Sequence, residues 1–528
     1  MVAGIRLEPA SLSLRPPRET FSNVDHTRIF NADIAILDDQ AVHRPYLVEA
    51  LPALNTDTWR VQPDGRMQTT YRFRPNLTWH DGAPLTTEDF VFAFQVYSTP
   101  DVGLSRQPPF DAIEQVEAID PRTMVIHWKR LYPDAAHMTG RDRNFPPLPR
   151  QVLQAPFASE SVDAFLTLPY WSRDFVSTGP FKVVNWEPGT FIEAAAFDGH
   201  TTGRPKIDRM KITFIPDNNT ALASMLGGEL HLASATTLNL TQSVTLKQDW
   251  EPRQAGTVFY QVFVWHGLSV QFLPGRSSPR TLTDVRVRRA LAHAIDKPGI
   301  NDAINAGIAL EADFYLPPNG QWGAEVQRGA VKHPLDLRLS EQLMREVGYE
   351  KAPDGVYVSQ TEGRFVVEAR TVAGSAVPEL AALANDWRTA GFEVNQHIVP
   401  AALALDLETK AGYPGMYLTT TPATERTVVS MIPGNIPTPE NGWRGGSQIS
   451  WTHPAYTRLV EQFGSTLDRS ERGQQMEQMA RIYSEDLATI SLHFPPLVWA
   501  NTSSLKGPKE GPPDTNVFWN IQEWELFR

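Results

Sequence analysis

Three consecutive stretches constrain the fold more than anything else in this chain: RFVVEARTV (Arg364–Val372), PELAALANDWRTAG (Pro378–Gly391) and FEVNQHIV (Phe392–Val399). The outer two have the alternating and β-branched residues of strands. The middle one repeats Leu380, Leu383, Ala384 and Trp387 along one helical face, and Gly391 supplies its stop. Strand, helix and strand in that order predict a parallel pair with a right-handed crossover, hence an α/β architecture. The chain has 528 residues, more than one core supports, so two or more domains are expected.

Other segments read in the same style. In DVRVRRALAHAIDK, Asp284 is placed to cap a helix whose stripe is Val287, Ala290, Leu291, Ala294 and Ile295. Arg286, Arg288 and Arg289 of that segment read as a solvated face. NTALASMLGGELHL reads as a helix stopped at Gly227 or Gly228, then a strand. Two further helices are PAYTRLVEQFGSTL and SERGQQMEQMARIYSEDL, the second burying Met476, Met479, Ala480 and Tyr483.

YRFRPNLTWHDGAPLTTEDFVFAFQV (Tyr71–Val96) poses the first functional question. Tyr71, Phe73, Leu77 and Trp79 follow strand periodicity, Asp81-Gly82 is a turn, and Thr86 with Asp89 caps a helix bearing Phe90, Phe94 and Tyr97. Trp79–Gly82 is therefore read as architecture rather than as a metal or catalytic site.

That segment resembles the hallmark stretch of the family 5 extracellular solute-binding proteins, the binding components of peptide, nickel and oligosaccharide importers. LEPASLSLRP, IFNADI, STGPFKVVNWEPG, GRPKIDRMKITFIPD, ASMLGGELHLA and TDVRVRRALAHAIDKPGI resemble further family segments in the family's order, over about Leu7 to Lys506. The resemblance implies a class II periplasmic binding protein-like α/β fold, with two lobes, a hinge and an inserted subdomain. Lobe I would comprise 1–42, 176–258 and 492–528, the insertion 43–175, and lobe II 259–491, with the hinge near Tyr260 and His493.

Composition excludes several alternatives. A net charge of -12 argues against nucleic acid, because phosphate neutralisation needs clustered Lys and Arg. There is no Cys, hence no disulfide, thiol nucleophile or Cys-ligated zinc. No G-x-S-x-G, G-x-x-x-x-G-K-[ST] or H-E-x-x-H occurs, and the SSLK at Ser503–Lys506 lacks the partner motifs of penicillin-recognising enzymes. The 13 His are scattered, with none at helical metal spacing, so no metal site, no cofactor and no nickel-binding cluster is expected. The chain is expected not to be an enzyme; a secreted hydrolase is a distant alternative. It is expected to be a monomeric, exported protein, periplasmic or at the cell surface with its leader absent, that serves an ABC permease.

The solute is expected to be oligopeptide-like, with an oligosaccharide as the alternative. By resemblance, two strands would pair with a peptide main chain, near Glu19, Thr20 and Phe21 and near Leu418–Thr421. Peptide-binding relatives place an Asp after the second strand; here the position falls near Ala423, and Glu425 is the substitute. The surplus of 14 Trp suits ring stacking, with Trp265, Trp322, Trp443 and Trp451 as candidates. Arg426 offers a planar fork for a carboxylate. His266, Tyr417, Thr419, Thr420 and His493 complete the expected set.

Overall fold

The structure is a computed structural model that describes residues 1–15, 26–139, 143–447, 449–513 and 515–527. It divides into two compact units, Met1–Gln261 with Ser465–Leu467 and Leu497–Arg528, and Val262–Gly464 with Asp468–Pro496.

The first unit is built on a seven-stranded sheet. Its strands are Val2–Ile5 (β1), Phe181–Glu187 (β2), Phe191–Ala196 (β3), Arg209–Phe214 (β4), Leu232–Leu238 (β5) and Gly256–Val262 (β6), with Pro496–Thr502 (β13) returning late in the chain. The spatial order is β6-β13-β5-β1-β4-β3-β2. β1 lies parallel to both neighbours, with Ala3 opposite Ile212 and Leu232, all without solvent exposure. A four-stranded antiparallel sheet, which includes Met67–Arg72 and Thr123–Trp128, carries the helix Thr87–Ser98 (α1).

The Trp79–Gly82 stretch is architecture, as its sequence suggests. Thr86 and Asp89 form a reciprocal capping box at the start of α1. His80 is buried and clamped by main chain: Nε2–H donates to the Gly179 carbonyl (3.0 Å) and Nδ1 accepts from the Ser177 amide (3.3 Å). Burial lowers its pKa from 6.5 to about 4. Asp81 accepts from the Ala83 amide and holds the turn.

The second unit has a six-stranded sheet: Val264–Val270 (β7), Leu310–Glu311 (β8), Val366–Val372 (β9), Glu393–Val399 (β10), Met416–Pro422 (β11) and Thr489–Phe494 (β12), in the order β8-β12-β7-β11-β9-β10. The strand–helix–strand reading holds. β9 and β10 run parallel from Val366↔Glu393 to Val372↔Val399. Between them Val377–Ala390 (α4) buries Leu380, Leu383, Ala384 and Trp387, and Gly391 takes a φ of +106°. One core fills the α4 face of the sheet, with Leu268, Leu418 and Ile490; another fills the opposite face around Trp265, Tyr456, Met476 and Met479.

Two sequence expectations need correction. The helix opening at Asp284 ends at Ala292 (α2, Val285–Ala292), and Asp296 caps a separate helix, Lys297–Asn305 (α3). Ala294 and Ile295 are buried, but in the link between them. Arg288 is not on a solvated face; it is 1% exposed. Its guanidinium reaches the end of Arg469–Asp486 (α6), donating to the Asp486 carbonyl (2.6 Å) and carboxylate (2.8 Å), and to the carbonyls of Leu282 and Thr283. A helix end leaves carbonyls without intrahelical donors, and a cation there satisfies them and complements the dipole.

Candidate functional site

Three of the expected ligand residues in the second unit, Thr420, His266 and His493, meet at one edge of its sheet. β9, β10 and β11 are parallel, and β12 shares their direction because both β11 and β12 pair antiparallel with β7. Their carboxyl ends therefore lie together, which is where open α/β sheets place ligands. The first turn of α4 follows the end of β9 and belongs to the same edge.

A row of facing positions crosses this edge: Thr420 on β11 opposite His266 on β7, which is opposite His493 on β12. An irregularity in the β7–β12 pairing creates the row. Gly267 faces Ser491, but His266 faces His493, so Leu492 is the extra residue of a bulge. The bulge re-aims His493 onto the histidine side of the sheet. The two imidazoles meet edge to face, with centroids 5.3 Å apart. Glu379, in the first turn of α4, lies 3.1 Å from His266 Nδ1 and 3.6 Å from His493 Nδ1. His266, Glu379 and His493 are 7%, 1% and 3% exposed. Burial raises the Glu379 carboxyl from 4.5 to about 8, outweighing the helix amino terminus, and lowers His266 and His493 to about 3 and about 4. The expectation of no histidine cluster is thus corrected: no helical spacing joins these residues, but the strand pairing does.

β11 has one bonded side and one open side near its carboxyl end. The Ala423 amide donates to the Phe263 carbonyl (3.0 Å). By the alternation of an antiparallel ladder, Thr421 and Thr419 also bond to β7, while Leu418, Thr420 and Pro422 turn their polar groups away. Two observations agree: Pro422 has no N–H to lose, and the Thr371 hydroxyl reaches the Leu418 carbonyl from the β9 side (3.1 Å). The β9–β11 ladder comprises only Ala369↔Met416 and Arg370↔Tyr417. Beyond it, among the described residues, no strand pairs with the side of β11 toward which Thr420 points, and Thr420 is exposed.

The remaining expected residues divide clearly. Thr419 is half-buried and opposite Gly267. Tyr417 is buried against Tyr413, with ring centroids 5.5 Å apart. Trp265 has no exposure, and its indole N–H donates to the Ser491 hydroxyl (3.0 Å). It neighbours His266 on a strand, so the two point to opposite faces, and Trp265 belongs to the core. Gly267 makes room for it: a Cβ there would lie 2.4 Å from the Trp265 ring. Trp322 and Trp451 are buried too, whereas Trp443 is half-buried with the Arg276 guanidinium over its ring at 5.3 Å. Arg426 is exposed on the short helix Glu425–Val429 (α5). Glu425 cannot replace the amine-pairing Asp as a free carboxylate, because it holds Arg472 (3.2 Å) and accepts from the Trp322 indole (2.9 Å). Glu19, Thr20 and Phe21 lie outside the described residues. Glu379 was missed by sequence, although it falls on the stripe of Leu383 and Trp387 at i, i+4, i+8, a buried position for an acid.

The model of the bacterial extracellular solute-binding proteins, family 5 (middle region), matches residues 49–428, most of the chain. The chain belongs to this family. Its match to the heme-binding protein A of Haemophilus influenzae is 26% identical and covers 65% of this chain and 61% of that protein. To the oligopeptide-binding protein AppA of Bacillus subtilis it is 21% identical, covering 88% of this chain and 82% of that one. The solved structure of an oligopeptide-binding protein from Thermus thermophilus, complexed with a pentapeptide, aligns over 100% of this chain and 96% of that one, with a TM-score of 0.72 and 20% identity. The family 5 fold, two-lobed and of class II, therefore extends across the chain. The family is one of solute-binding proteins rather than enzymes. Among the described residues no helix is long and apolar enough to cross a membrane.

Proposed function

We propose that this family 5 protein is the solute-capturing component of an ABC importer and that it holds an oligopeptide-like solute by pairing the solute's main chain with the open side of β11. The observation that carries the reading is Thr420, whose amide and carbonyl point to a side of the strand with no strand paired to it among the described residues. A peptide bond matches that donor and acceptor without regard to side chain, the logic of strand addition. Glu425 is already neutralised by Arg472, so recognition rests on main chain rather than on a free α-amine. Arg426 stands on the next turn as the contact for a carboxylate.

The lobes are assigned to the two units, with 43–175 as the insertion in the first; the boundaries expected at 258/259 and 491/492 shift to 261/262 and 496/497, because β6 and β12 each run unbroken through the expected points. Capture proceeds by hinge closure: contacts to both lobes stabilise the closed state relative to the open one. The protein works as an exported monomer that presents its solute to a membrane permease. Native mass spectrometry of the purified chain tests the reading. A co-purified oligopeptide, displaceable by defined peptides in calorimetric titration, is the expected result. A bound sugar, or no response to any peptide length, refutes it.

A further inference from the structure

The histidine pair behind Thr420 has properties that solute capture does not use. Three elements far apart in sequence bring His266, Glu379 and His493 together, and one donor atom from each lies within 4.8 Å of the others. Buried polar atoms almost always find partners. Here His266 Nε2 and Glu379 Oε1 have no hydrogen-bond partner among the described residues, although each belongs to a side chain more than nine-tenths buried. The neighbouring cation, Lys297, is engaged elsewhere, with the Ala312 carbonyl (2.9 Å) and Asp313 (3.3 Å).

We propose that His266, Glu379 and His493 form a binding site for one divalent first-row transition ion of the zinc class. Two imidazoles and one carboxylate are a donor set for such an ion, leaving a fourth position for water. Calcium and magnesium prefer all-oxygen sets and are disfavoured by the two nitrogens. Thr420, facing His266 across the β7–β11 pair, is exposed. A bound ion ties β7, β12 and the start of α4 together as a resident of this unit. The proposal does not depend on the identity of the transported solute.

The test uses the full chain stripped with a chelator. Native mass spectrometry with added zinc should show a single retained ion per chain. Cobalt should give the visible absorption of a four-coordinate nitrogen–oxygen site. Zinc should raise the melting temperature, and magnesium should not. Glu379→Gln keeps the shape of the side chain and removes the carboxylate, so it should fold like stripped wild type while binding zinc at least about a hundredfold more weakly. His493→Gln should behave likewise, and peptide binding to metal-free protein is measured separately. The proposal is overturned if wild type retains no ion, if Glu379→Gln binds zinc as tightly as wild type, or if anomalous scattering places the ion away from these three side chains.

Discussion

Proline scanning of β11 separates its two sides. Thr421→Pro removes an amide that donates to β7 and leaves the buried Trp265 carbonyl without its ladder partner. The cost is about 1–3 kcal/mol for the orphaned acceptor, which lowers the melting temperature by roughly 2–12 °C for a unit of this size. Thr420→Pro removes an amide pointing the other way. The preceding residue is already extended, as a residue before proline prefers, and Pro422 stands on the same side two residues on. The melting temperature should therefore stay within about 2 °C of wild type. Solute affinity should fall, by about 1 kcal/mol for the lost donor, or roughly fivefold, with the proline ring on the pairing side adding to the loss. Thr420→Val keeps the amide and should bind within about twofold of wild type. Calorimetric titration with the co-purified peptide, beside thermal melts, provides both readouts. If Thr420→Pro melts as early as Thr421→Pro, the ladder assignment is wrong. If it folds normally and binds undiminished, the solute does not pair with β11.

Arg288→Met should destabilise by about 3–5 kcal/mol, because it leaves Asp486 Oδ1 and three carbonyls without this donor; denaturant unfolding that moves by less than about 1 kcal/mol contradicts the buried-cap account. His80 should weaken the fold in acid. Its folded pKa, about 4, lies below the ordinary 6.5, so the unfolded chain takes up the proton first as pH falls. Its contribution is full above about pH 6.5 and is lost by about pH 4, on the order of 3 kcal/mol. A His80→Asn variant should show a shallower acid limb in stability against pH, with solute affinity within a few-fold. Arg426→Ala should weaken solute binding by about 1–3 kcal/mol and leave the melt of solute-free protein unchanged; equal affinity by calorimetry removes Arg426 from the site. Incubation with peptides, esters and glycosides should give no turnover above background.

What the sequence revealed depended on how local the responsible interaction is. β9, α4 and β10 were legible because each is specified by its own periodicity, and the short links leave little choice of pairing. The capping box at Thr86 was legible for the same reason. Arg288 was not, because the Asp486 carbonyl and carboxylate that hold it end a helix almost 200 residues away, and nothing near Arg288 marks it as buried. Trp265 and His266 were both expected at the site, yet strand alternation alone forbids neighbours from sharing a face. The His266–Glu379–His493 cluster depends on a one-residue bulge at Leu492, a feature of pairing between distant strands that leaves no periodic trace.

The return of β13 to the first unit has a consequence for synthesis. In the seven-stranded sheet, β6 reaches the other strands only through β13, and Phe259 of β6 lies flat on Trp499 of β13, with centroids 3.7 Å apart. The whole second unit is translated between these two strands. At about 5–20 residues per second, β6 waits on the order of tens of seconds for its neighbour. During that interval β6 and β5 each present an unpaired edge to other nascent chains. Shortening the chain before Pro496 makes the interval permanent, so such truncations should accumulate as aggregates even though the second unit's strands are all present.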